Sequence, residues 1–144
     1  MIVLGDMAGR AIRKPWVVSW PASPDPVPLA LERTVQTPIR RETLSDAGGP
    51  HAVGQWIRRA LPVTVSAQGP IGAEGLPAVL ISESGERGPA ADEPVLEQRL
   101  QVFGRAAGRA VNAVDAAGPR DGPSFKDTPR GIVTLRNVLP DWAA

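Results

Sequence analysis

Cysteine is absent from the 144-residue chain, tyrosine is absent as well, and histidine occurs once, at His51. The missing thiols exclude disulfides, thiolate nucleophiles and cysteine-based zinc sites, and a single imidazole leaves only carboxylates to build a metal site. No Gly-x-Ser-x-Gly elbow stands ready to pair with His51, so a Ser-His-Asp arrangement lacks its nucleophile, and an isolated His beside Gly and Pro is read as incidental. Neither a Gly-x-x-x-x-Gly-Lys-Ser/Thr loop nor a strand followed by Gly-x-Gly-x-x-Gly is present to cradle phosphates. Long apolar runs are missing too, which excludes a membrane-spanning helix, and residues 1–6 lack the charged start and apolar stretch of a secretion signal. A cytoplasmic site of assembly with no membrane contact is expected. Nor is there an excess of one charge: 16 basic residues face 15 acidic ones, for a net charge of +1, so nothing demands a nucleic-acid partner. These absences describe a chain with no catalytic residue, no cofactor and no metal, and a structural role is expected in place of an enzymatic one.

What is abundant is backbone punctuation, with 16 Pro and 15 Gly. Residues 1–49 carry short apolar pieces cut by proline and are expected to form an extended arm, followed by an ordered domain over residues 50–144. Within the arm, residues 16–20 (Trp-Val-Val-Ser-Trp) suit a short strand, 21–28 an extended linker, and 29–39 a second extended piece, since Thr34, Val35 and Thr37 favour β structure and Pro38 stops it. Val53, Trp56, Ile57, Ala60 and Leu61 recur at helical spacing and predict an amphipathic helix that Pro62 ends. Residues 63–65 predict a short strand, 68–75 a loop, and the apolar run 77–82 a central strand buried on both faces. Residues 96–103 alternate, with Leu96, Gln98, Leu100 and Val102 on one side, and predict a further strand that Gly104 breaks. A stripe of small residues from Ala107 to Ala117 predicts a second helix, and residues 132–138 a last strand. The expected fold is α+β: a four-stranded, mostly antiparallel sheet with two helices packed on one face, plus the proline-rich N-terminal arm.

Interface residues are sought among arginine and tryptophan, the types enriched where protein surfaces meet. Arg13 lies just before Trp16 and Trp20, Arg40-Arg41 and Arg58-Arg59 are doublets, Arg87 sits on the polar loop 84–94, and Trp142 lies beyond the last strand. Trp16, Trp20 and Trp142 fall outside the expected core, so a monomer would expose them, and a short strand over 16–20 could add to a neighbour's sheet edge. The same interleaving of Arg and Trp could hold single-stranded nucleic acid, which gives a second reading. A third is a small enzyme using Glu83, Glu86, Asp92 and Glu93, although their spacing fits a solvated loop better than any calcium or acid/base pattern.

Residues 53–65 (VGQWIRRALPVTV), 76–86 (LPAVLISESGE) and 100–105 (LQVFGR) together resemble the tail terminator, or tail completion, proteins of long-tailed bacteriophages and related particles. The resemblance is one of order over about residues 50 to 140: a helix ending in Leu-Pro-Val, a Leu-Pro-x-Val strand running into a glycine-containing loop, then an alternating strand and an Ala-rich helix. It implies a virion protein, a homo-oligomer forming a hexameric ring that caps the tail tube protein and joins it to the head-tail connector protein. DNA would pass through the channel without sequence-specific binding. The arm departs from the compact family pattern and leaves other neck or tail-ring positions open. The resemblance brings no catalytic residues with it.

Overall fold

The structure, a computed structural model, describes residues 1–9, 14–23, 27–48, 52–88, 92–117, 131–133 and 138–140. In chain order the elements are β1 (Ile2–Leu4), β2 (Trp16–Val18), α1 (Leu29–Thr43), α2 (Ala52–Ala60), α3 (Gln68–Ala73), β3 (Val79–Ser82), α4 (Glu97–Ala116), β4 (Gly131–Val133) and β5 (Val138–Pro140). β1, β3 and β2 form one mixed sheet in that order, parallel between β1 and β3 and antiparallel between β2 and β3, while β4 and β5 make a separate antiparallel pair. This corrects the expected four-stranded, mostly antiparallel sheet with two helices: the main sheet has three strands and four helices accompany it.

The apolar run ending at Ser82 lies in the middle of the sheet, and every residue of β3 is buried, because a strand covered on both faces has no side to give to water. Val3 stands opposite Leu80 on one side, and Val17 opposite Ile81 on the other.

The extended N-terminal arm is also corrected. Residues 29–43 form α1, and Leu31, Val35 and Ile39, one helical turn apart in succession, are at most 1% exposed. That buried stripe outweighs the β preference of Thr34, Val35 and Thr37. Pro38 lies inside the helix without ending it. Having no N–H, it leaves the Thr34 carbonyl without its helical donor, a local cost that the burial of the neighbouring side chains offsets. Val17, Val27, Leu31, Val35, Ile39, Val79, Ile81, Ala106 and Ala110 make up one core cluster, so the N-terminal segments supply half of the interior.

The third correction is the alternating segment 96–103, which is the first part of α4. Glu97, Gln98, Arg99, Leu100 and Gln101 are strong helix formers, and the stripe that is buried is Phe103, Ala106, Ala107 and Ala110 at helical spacing, whereas Leu96 and Leu100 are exposed. Gly104 and Gly108 face open space and are tolerated there. The small buried stripe of α4 lets it lie close along α1, the most extensive contact between any two elements. Residues 63–65 form no strand, the loop 68–75 contains α3, and the expected strand 132–138 is divided between β4 and β5, whose register pairs Ile132 with Leu139. Residues 134–137 lie outside the described residues.

Candidate functional site

The segment from Leu61 to Ser66 links α2 to α3, at whose start Gln68 lies, and its polarity is inverted. Leu61, Val63 and Val65 are 65%, 62% and 80% exposed, while Thr64 and Ser66 turn inward and Gln68 is fully buried. The inward residues are held by one carboxylate. Glu86 accepts hydrogen bonds from the hydroxyls of Thr64 and Ser66, and the amide of Gln68 donates to Thr64 Oγ1 at 3.0 Å. Arg58, at the end of α2, closes the cluster: its Nη1 lies 3.0 Å from Glu86 Oε2 and donates to the Val63 carbonyl at 2.7 Å. The guanidinium also stands 5.2 Å from the centre of the Trp20 ring. Because extended backbone sends alternate side chains to opposite sides, the hydrogen bonds of Thr64 and Ser66 to Glu86 go with Val63 and Val65 pointing outward.

α2 continues the same exposed band. Its apolar stripe, Val53, Trp56 and Ile57, faces solvent, and β4 is its nearest neighbouring strand. An amphipathic helix that turns its apolar stripe to water presents an apolar surface of the kind found at interaction sites.

Compared with known protein families, curated proteins and solved structures, the chain matches none. The site therefore rests on its own geometry.

A second polar cluster joins β3 to α4. Arg99 bridges the Glu83 carboxylate at 3.3 Å and donates to the Gly9 carbonyl at 2.8 Å. Burial pushes the Glu83 carboxyl above its ordinary range, Arg99 opposes that, and the nearby charges of Asp6 and Glu93 add to it. The carboxylates 83, 86, 92 and 93 are thus not a single set: Glu86 serves Arg58, Glu83 serves Arg99, and Asp92 is exposed. Among the described residues no group of three acidic or imidazole side chains could hold a metal ion.

The interface candidates separate in space. Arg58 and Trp20 come together, whereas Arg40 pairs with Asp46 at 3.0 Å on the surface. Arg41 and Arg87 are exposed. Trp16 and Trp20 are half-buried within the chain, Trp16 lying where a side chain at Gly85 would meet its ring at 3.4 Å. Trp56, placed by its spacing on the buried face of its helix, is instead 56% exposed. Arg13 and Trp142 lie outside the described residues. Glu86 was named from the sequence only as one of four loop carboxylates, and Thr64, Ser66 and Gln68 were not singled out, although the polar residues at every second position from 64 to 68 are the signal of their common face. No described helix is long and apolar enough to cross a membrane.

Proposed function

We propose that this chain is a structural subunit that covers its outward apolar band with a neighbouring copy, as a tail terminator ring of a long-tailed phage or related particle. In that role the ring, a hexamer, closes the tail tube, meets the head-tail connector and leaves a channel for DNA. The observation that carries the reading is the inverted segment 61–68 with the outward stripe of α2: five large apolar side chains, Trp56, Ile57, Leu61, Val63 and Val65, are each 48% exposed or more. Continuous apolar surface of this kind is buried on association. A contact between this band and a different patch of the next copy is heterologous, and when its rotation closes it generates a ring.

The order of elements supports the reading in part. α2 ends before Leu61-Pro62-Val63, β3 follows Leu76-Pro77-Ala78, and Gly85 turns the chain after it with φ +68°. The Ala-rich α4 comes next, without the alternating strand before it. Another neck or tail-ring subunit would use the same band, and mixing with purified tail tube and connector proteins separates the positions. The nucleic-acid reading gains little, because Arg58 is committed to Glu86 and Arg40 to Asp46.

The test is mass by light scattering over a range of concentrations, alone and with the tail tube and connector proteins. Wild type is expected to form a ring-sized species, and Val65→Glu, which alters only an exposed side chain, to remain a folded monomer. A wild-type chain that stays monomeric in every mixture overturns the proposal.

A further inference from the structure

α1 and α4 flank an open groove of about 480 Å³. Two helical stripes line it. From α1 come Thr34, Thr37, Pro38 and Arg41, one turn apart along the helix, and from α4 come Arg109, Asn112 and Ala113. The volume is that of a small-molecule site. Pro38 and Ala113 give it an apolar floor, and the polar groups stand around that floor.

The charge at the groove is set by Glu42. Its Oε1 lies 2.8 Å from Arg109 Nε and its Oε2 lies 3.1 Å from Arg105 Nε, so one carboxylate holds two guanidiniums by their Nε edges. The pairing fixes the Arg109 fork in place while leaving its Nη nitrogens without a partner among the described residues. Arg41, one turn beyond Pro38, has no ion-pair partner among the described residues either. With Arg105 and Arg109 sharing one carboxylate and Arg41 on the opposite wall, positive charge is in excess beside a groove with an apolar floor. Arginine presents paired donors that match the oxygens of a carboxylate or phosphate.

We infer that the α1–α4 groove binds a small organic anion, an apolar ring or chain bearing one carboxylate or phosphate that Arg41 and Arg109 hold while Pro38 and Ala113 receive the apolar body. Asn112 lies beside Ala113 on the same wall, where its amide can donate to the anion. The site is independent of the apolar band on α2, so its occupancy and ring assembly can be scored separately.

The experiment titrates the full ¹⁵N-labelled chain with 1-naphthyl phosphate, 1-naphthoate and neutral 1-naphthalenemethanol, reading amide shifts. One or both anions are expected to bind saturably with the largest shifts at residues 34–41 and 109–113, and the better of the two identifies the anionic group. The neutral alcohol should bind about tenfold more weakly, the loss expected when charge-assisted hydrogen bonds go unmade. Arg41→Gln, an exposed position with no ion-pair partner among the described residues, should keep the amide spectrum and weaken the anion by about tenfold. Shifts centred on α2, equal binding of the alcohol, unchanged affinity in Arg41→Gln, or no saturable binding would each overturn the inference.

Discussion

The guanidinium of Arg58 lies 5.2 Å from the centre of the Trp20 ring while its Nη1 meets Glu86 at 3.0 Å, so one side chain links α2, the segment after β2 and the loop after β3. Glu86 keeps only 9% of its side chain exposed. Its carboxylate is held by Arg58 and by the two hydroxyls that reach it.

Arg58→Ala should therefore destabilise the fold by about 2–3 kcal/mol, less than a fully buried pair would lose because the arginine is partly exposed. Adding Glu86→Gln should restore part of that, since it removes the uncompensated charge. Urea midpoints of the two single variants and the double variant give the coupling directly. Additive losses would show that Glu86 is held by the hydroxyls alone.

Glu32 supplies a pH dependence. It is 9% exposed in the first turn of α1, and burial raises its carboxyl above the ordinary range, against the hydrogen bonds from Ser19 and Gln36. Where pH lies between the ordinary and the raised value, the native state holds a proton that the unfolded state has lost, so stability falls as pH rises through that window. Glu32→Gln should flatten this slope and leave the protein at least as stable as wild type at neutral pH. Urea midpoints between about pH 4 and about pH 8 would show it. A residual slope of the same sign is expected from Glu83, whose carboxyl is raised as well.

Leu44 ends α1 in the left-handed region, with φ 52° and ψ 23°, and is 91% exposed. A leucine there bears the steric cost of a positive φ and gains no burial in return. Leu44→Gly should stabilise the chain by about 0.5–1 kcal/mol, a net of relieved strain and the greater freedom of an unfolded glycine. A lower urea midpoint would mean that Leu44 is packed in the assembled form of the protein.

Part of this protein could be read from its residues alone. The apolar run before Ser82 has no polar face, so it must be covered on both sides, and it is the central strand. Val53, Trp56 and Ile57 fit only a helix, and α2 is one. Composition likewise removed thiol chemistry and any site needing two histidines. Tertiary structure decided the rest. Residues 29–39 and 96–103 carry both a β-like and a helical pattern, and the contest was settled when α1 and α4 buried Val35, Ile39, Phe103 and Ala106 against one core. Which face of α2 points outward also lies beyond local pattern. Spacing defines a stripe without saying what covers it, and here Arg58 is drawn to Glu86 from the far end of β3, a charge pairing between residues 28 positions apart in the chain. That long-range pair goes with the polar side chains of residues 58–66 turned inward and Leu61, Val63 and Val65 left exposed.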